Sequence, residues 1–364
     1  MAQETTGKLY NKVNKEALAQ TACRELMTYG LWDGKTKVKR WIRKYILRRN
    51  TAPEDLIFWS TGLLAAGLWD YSQTINSAAV EQALDAYYTR WIKKGCPVYY
   101  LDDLLAGETL LSAYMMYTES GQGNGIVNEQ NADAYRTAIG KLADFGMTYP
   151  TDEMGSFPYR AAQNNGYVFV DAIGLACPFL YRYGTVYQSN DAMELAVKQI
   201  VNFAAYGMDG STGLPYHGYE MNTGNKYGII GWGRAVGWLL RGMIGCMISE
   251  YGAERLKDSY IGLVDSVLPY QHKDGYFSWQ LQAMDGSVDT SATGMICTAL
   301  AQGIRLHILE DPKYEQALQT GRNAIYRSVR DGRVYDCSGE CEGFGQYPQR
   351  YGAYPWALGP ALLL

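Results

Sequence analysis

Apolar and polar positions along the chain fall into two kinds of segment, and both repeat with the 3.6-residue period of a helix. Segments of the first kind carry a charged face opposite an apolar stripe, at roughly 11–29, 77–94, 130–148, 190–206, 253–268 and 312–329. Segments of the second kind are apolar nearly all round and rich in glycine, alanine and aromatics, at roughly 55–73, 101–118, 168–184, 232–251, 289–308 and 353–364. Strand signals are short and isolated. A helix apolar on every side must be buried on every side, whereas an amphipathic helix covers a core with one face. Six of each kind, alternating at a spacing of about 50–60 residues, predict an inner ring wrapped by an outer ring. The expected fold is therefore an all-α (α/α)6 barrel of six helical hairpins, a single domain over residues 1–364. An open solenoid of helix pairs needs the same alternation. Closure predicts that the final "YGAYPWALGPALLL" packs as an inner helix against the first.

Composition supports a compact chain: 47% of residues are hydrophobic and 19% charged, enough apolar material for a large core. The net charge of −4 comes without a long basic stretch and argues against nucleic acid or an anionic membrane as partner. The local exception, "KTKVKRWIRKYILRRN" at 35–50, is predicted to be an amphipathic helix with Trp41, Ile42, Tyr45, Ile46 and Leu47 on its apolar stripe. The start lacks the apolar core of a secretory signal, and no stretch reaches membrane-spanning length, so a cytoplasmic location is expected. Seven scattered cysteines do not form a disulfide framework, and "CSGEC" at 337–341 lacks the further ligands a metal or redox site needs. With three histidines in the chain, no metal and no cofactor is expected.

The loops before the inner segments are rich in glycine, tyrosine and tryptophan, among them "TYPTDEMGSFPYRAAQNNGY", "MDGSTGLPYHGYEMNTGNKYGIIGWGR" and "CEGFGQYPQRYGAYPW". If the inner helices run parallel, these loops gather at one mouth. The chain holds 31 tyrosines and nine tryptophans, whose rings suit the apolar faces of sugars. Asp171 stands at the start of the apolar "GYVFVDAIGLACPFLYRYG". There a carboxylate can cap a helix or meet its dipole, and apolar neighbours would also let it hold a proton as a general acid. Asp102 and Asp103 are adjacent in "YLDDLLAGETLL"; side chains about 100° apart on a helix cannot share a direction, so one is expected to face the mouth and the other a neighbouring loop or cap. His217 is a loop histidine among aromatics. Arg234 opens a helix where the dipole disfavours a cation, which implies an anion nearby. "GQGNG" at 121–125 follows no strand and is a loop, not a phosphate cradle.

Several motifs, in order along nearly the whole chain, together resemble the unsaturated rhamnogalacturonyl hydrolases of glycoside hydrolase family 105, with the unsaturated glucuronyl hydrolases of family 88 as cousins. They are "FWSTGLLAAGL", "YLDDLLAGETLLSAY", "GSFPYR…YVFVDAIGLACPFLYRYG", "STGLPYHGYE", "WGRAVGW", "DGYFSWQLQ…DTSATGMICTALAQGIR" and "LGPALLL". The resemblance implies an (α/α)6 barrel that takes a 4,5-unsaturated uronic acid from the non-reducing end of oligosaccharides left by polysaccharide lyases, pectin-derived ones included. It implies Asp171 as catalytic acid and base, Asp102 as the second active-site aspartate, and His217, Trp232 and Arg234 around the uronate; Asp103 and the motif aromatics Trp59, Tyr216 and Trp238 join the substrate-binding set. Leu105–Ala106 and Ala235–Val236 depart from the family pattern. Two other readings stand beside this one: an inverting glycosidase using Asp102 and Asp171 as acid and base, and a barrel that binds carbohydrate without catalysis. An epimerase of similar fold would need paired histidines at the mouth, and His307 lies inside a predicted helix.

Overall fold

A computed structural model describes residues 2–31, 35, 38, 39, 42, 46, 55–161, 166–342 and 345–364, with backbone alone for 2–14. Trp41, Tyr45, Leu47 and most of the basic helix expected at 35–50 lie outside the described residues. Twelve α-helices are present among those described. The outer set is α1 (Ala2–Thr28), α3 (Ala78–Lys93), α5 (Ala132–Met147), α7 (Asn190–Tyr206), α9 (Glu250–Val267) and α11 (Pro312–Arg327). The inner set is α2 (Trp59–Thr74), α4 (Ala106–Ser120), α6 (Val170–Tyr187), α8 (Gly233–Gly245), α10 (Thr290–Arg305) and α12 (Pro355–Leu363). Each inner helix packs on the next, and α12 packs on α2, so the ring closes as expected. At that seam the backbones touch: a Cβ on Gly359 would lie 2.4 Å from the Leu63 carbonyl oxygen, and one on Gly67 would lie 2.5 Å from that of Gly359.

The outer helices follow their spacing. In α3 the buried residues are Val80, Ala83, Leu84, Tyr87, Tyr88 and Trp91, one face at i, i+3, i+4, i+7, i+8 and i+11. The inner helix α6 tolerates an internal proline for an identifiable reason. Pro178 has no N–H to give the Gly174 carbonyl one turn earlier. Arg241 of α8 donates to that oxygen instead, at 2.5 Å, so the orphan acceptor is satisfied from the neighbouring helix.

Several boundaries differ from expectation; the helix expected from 101, for one, begins at Ala106 after a 3₁₀ turn. The segment expected as one helix over 232–251 breaks after Gly245, and the chain then turns so tightly that a Cβ on Gly252 would lie 1.8 Å from the Cys246 carbonyl oxygen. At the start of α6, residues Tyr167–Phe169 form a short strand, β1, which pairs antiparallel with β2 (Gly218–Glu220). β2 pairs in turn with β3 (Lys226–Tyr227). The register Phe169↔Gly218 needs the glycine, since a Cβ there would lie 2.4 Å from the Val168 carbonyl oxygen. This small sheet lies at the N-terminal end of α6 and decides which side chains meet there.

Candidate functional site

A pocket of about 290 Å³ opens at the N-terminal ends of the inner helices, where the loops before them converge. Seven of the nine residues expected at a site line it: Asp171, Asp102, His217, Trp232, Arg234, Trp59 and Trp238. The other two do not. Asp103 turns its Oδ2 to the Tyr99 and Tyr100 N–H groups at 2.8 and 3.1 Å, so it caps the 3₁₀ turn Leu101–Leu105 while Asp102 takes the pocket face. Tyr216 stands next to His217 in an extended stretch, where successive side chains point opposite ways. It is half-buried away from the pocket lining.

The β1–β2 pairing brings the two central groups together. Val170 donates its N–H to the His217 carbonyl at 3.0 Å, which sets the residue after it, Asp171, beside the imidazole. His217 Nε2 lies 2.9 Å from Asp171 Oδ2, and His217 Nδ1 lies 2.8 Å from the Tyr347 hydroxyl. The histidine is buried, its ring between Phe169 and Trp232 at centroid separations of 4.6 Å each. Asp171 keeps 16% of its side chain exposed, so its surroundings are less apolar than its sequence neighbours suggested, and nothing local to it pointed to the imidazole partner.

Asp102, by contrast, is fully buried. Its Oδ1 accepts from the Tyr159 hydroxyl at 3.0 Å, and its Oδ2 lies 3.1 Å from Arg160 Nη1, an ion pair by distance without hydrogen-bond alignment. Burial pushes the Asp102 carboxyl above the usual carboxylate range, and the Arg160 charge and Tyr159 hydroxyl pull against that shift. Arg160 also lies over the rings of Tyr100 and Tyr159, 4.2 and 4.8 Å from their centroids. Both Tyr159 and Arg160 sit in the "GSFPYR" motif, yet only the folded chain shows their pairing with Asp102. Phe58, Phe169, Leu175, Glu340 and Cys341 complete the part of the lining that was not expected at a site.

The anion expected near Arg234 is Asp289, 3.6 Å away and buried. Arg234 also donates to the Ser291 hydroxyl at 3.2 Å, to Ser338 through its carbonyl at 3.1 Å and its hydroxyl, and to the Gly339 carbonyl at 2.7 Å. It therefore ties the loop before α12 to the start of α8, with its guanidinium 4.8 Å over the Trp232 ring. A larger cavity of about 430 Å³ lies at the opposite ends of the inner helices, but its acid, Glu108, is already paired with Arg241 at 2.6 Å. Among the described residues no group of three or more His, Cys, Asp or Glu is arranged to hold a metal ion, and no helix is long and apolar enough to cross a membrane.

Asp55 adds a third carboxyl near Asp102 and Asp103. Burial first, and then the Asp102 charge, raise it from its ordinary 3.8 to about 7. The folded chain thus holds this proton more tightly than the unfolded chain, and stability falls as pH rises from 3.8 through about 7. Asp55→Asn is expected to be more stable than the parent at pH 8, by on the order of 1–2 kcal/mol given its partial exposure, and no more stable at about pH 4. Urea melts at the two pH values check this; an equal gain at both would contradict the titration.

Comparison with known proteins places these features. The model of the family described as Glycosyl Hydrolase Family 88 matches residues 35–364. Over 315 residues the chain is 22% identical to the unsaturated rhamnogalacturonyl hydrolase YesR of Bacillus subtilis (strain 168), covering 84% of this chain and 87% of that one. The crystal structure of a possible member of glycoside hydrolase family 105 from Salmonella enterica subsp. enterica serovar Paratyphi A superposes with a TM-score of 0.76 at 18% identity, over 96% of this chain and 92% of that one. That of the unsaturated glucuronyl hydrolase from Bacillus sp. GL1 gives 0.66 at 17% identity, over 95% and 93%. Both likenesses show the (α/α)6 barrel. With its family model matched from residue 35 to residue 364, the chain belongs to glycosyl hydrolase family 88.

Proposed function

We propose that residues 1–364 act as one catalytic unit that removes a 4,5-unsaturated uronic acid from the non-reducing end of lyase-generated oligosaccharides by hydrating its C4=C5 bond. The observation that carries this reading is the unequal treatment of the pocket's two aspartates. Asp102 has Oδ1 engaged by Tyr159 and Oδ2 facing the Arg160 charge, whereas Asp171 is partly exposed and bonded to an imidazole that can take or return a proton. An inverting glycosidase needs two carboxyl groups free to face the leaving oxygen and a water. One free acid suffices for hydration of a vinyl ether.

In this mechanism the Asp171 carboxyl gives its proton to C4, using the C4=C5 electron pair, and positive charge develops at C5 and the ring oxygen. Water adds at C5 and loses a proton to the Asp171 carboxylate, which regenerates the acid. The hemiketal opens by breaking the bond from C5 to the ring oxygen, leaving a ketone at C5, and the hemiacetal at C1 expels the neighbouring sugar. Trp232, Trp59 and Trp238 offer ring surface to the sugar, Asp102 and Arg160 hold the wall opposite, and Arg234 shapes the uronate end. The likeness to YesR over 84% of the chain supports an unsaturated galacturonyl residue on rhamnose, as lyases that cut rhamnogalacturonan leave. Six buried cysteine thiols, at Cys23, Cys96, Cys177, Cys246, Cys297 and Cys337, form no disulfide and support a reducing, cytoplasmic location.

Turnover in water labelled with heavy oxygen tests the reaction. With rapid reductive trapping, hydration places the label at C5 of the released keto acid, and label at the anomeric carbon would instead establish ordinary glycoside hydrolysis.

A further inference from the structure

We propose that Tyr347 is a positioning residue: by donating its hydroxyl proton to His217 Nδ1 it fixes the tautomer of that histidine, and so places the acid proton of Asp171 on Oδ1, the oxygen the imidazole leaves unbonded. The inference rests on the reading of Asp171 as proton donor. His217 is 4% exposed, and its two ring nitrogens meet the Tyr347 hydroxyl and Asp171 Oδ2. A neutral imidazole has one N–H and one lone pair, so only two arrangements satisfy both contacts. With the hydrogen on Nδ1, that N–H donates to Tyr347 and Nε2 accepts; Asp171 can then bond to it only as an acid whose proton sits on Oδ2, aimed at the histidine and away from substrate. With the hydrogen on Nε2, Tyr347 donates to Nδ1, Nε2–H donates to Oδ2, and the acid proton has Oδ1 as its place.

Two observations favour the second arrangement, and a third shows that the contact itself is built in. The Ile229 N–H points at the Tyr347 oxygen from 3.4 Å, so the oxygen already receives one donor and its own O–H is free to turn to Nδ1. Burial raises the Tyr347 phenol above its ordinary range, which keeps it a donor. Lastly, the contact is built on a glycine: Gly228 has φ of +78°, and a Cβ there would lie 2.6 Å from both the Tyr347 hydroxyl and His217 Cβ. Tyr347 lies behind the histidine, in a recess with Trp232 and Trp279, and is absent from the pocket lining. It therefore acts through His217.

Nitrogen-15 spectra of imidazole-labelled protein read the tautomer directly. The chain has three histidines, His217, His272 and His307, and loss of signals in His217→Gln assigns the first. The expected spectrum of the unmodified protein shows neutral His217 with its hydrogen on Nε2. In Tyr347→Phe the Nδ1–H form is expected to appear, with kcat on an unsaturated disaccharide lowered about tenfold or more and KM within about twofold. Hydrogen on Nδ1, or on both nitrogens, in the unmodified protein overturns the proposal. So does a Tyr347→Phe protein in which either the tautomer or kcat stays unchanged. Should that variant fail to fold, the spectrum of the unmodified protein still decides. Because the spectrum is read without substrate, failure of the hydration reading leaves its own separate signature, no turnover of any unsaturated uronide.

Discussion

Asp171→Asn is expected to lower kcat on an unsaturated uronyl disaccharide by about three orders of magnitude, the middle-to-upper range for loss of a general acid and base. The amide matches the carboxyl in shape and can still bond to His217, so the pocket and KM should change little. What it lacks is an acidic proton for C4 and a basic oxygen for the attacking water, and both steps fall on the same residue. The loss of the conjugated double bond's ultraviolet absorbance reports the rate directly, and an unchanged thermal midpoint shows that the fold is kept. A rate equal to that of the unmodified protein would remove Asp171 from the chemistry and return attention to Asp102.

The second large effect is on stability. Arg160→Met should destabilise the fold by about 3–5 kcal/mol near pH 8, because it leaves the buried Asp102 charge without its cation. The Tyr159 hydroxyl alone does not replace a guanidinium. The sign of the pH dependence follows from Asp102, whose carboxyl is already raised above its ordinary range by burial. Without Arg160 it rises further, so the folded chain binds the proton more tightly than the unfolded chain, and the deficit shrinks as pH falls and Asp102 is protonated. Adding Asp102→Asn to Arg160→Met should recover most of the loss near pH 8, since no charge is then buried. Denaturant melts of the two single variants and the double variant complete the cycle; a double variant as weak as Arg160→Met would mean that the arginine acts through packing on Tyr100 and Tyr159 instead.

The alternation of charged and fully apolar helices was legible in the sequence because burial on one face or on all faces is written into each segment locally. Closure by the last apolar segment was legible for the same reason: such a helix needs cover on every side. The strand at Tyr167–Phe169 was not, because what makes it a strand is a partner at Gly218–Glu220, far along the chain. The same distance hid the imidazole beside Asp171. For Asp102 and Asp103 the sequence implied divergent directions but could not say which pointed inward; the hydrogen bonds from Tyr99 and Tyr100 decide it. Tyr347 stood in an aromatic loop already marked as part of the mouth, but its partner is 130 residues away.

The seam where Gly67 meets Gly359 has a consequence for how the molecule is made. α2 leaves a ribosome well before α12, so the flank of α2 that carries Gly67 stays uncovered until α12 has followed. Contacts between such distant segments carry the highest loop-closure entropy and form late. The pocket takes Trp59 from the start of α2 and Glu340 from the loop leading to α12. Binding competence is thus acquired only after α12 has emerged, and an apolar groove awaiting that helix is where a chaperone would have most to protect.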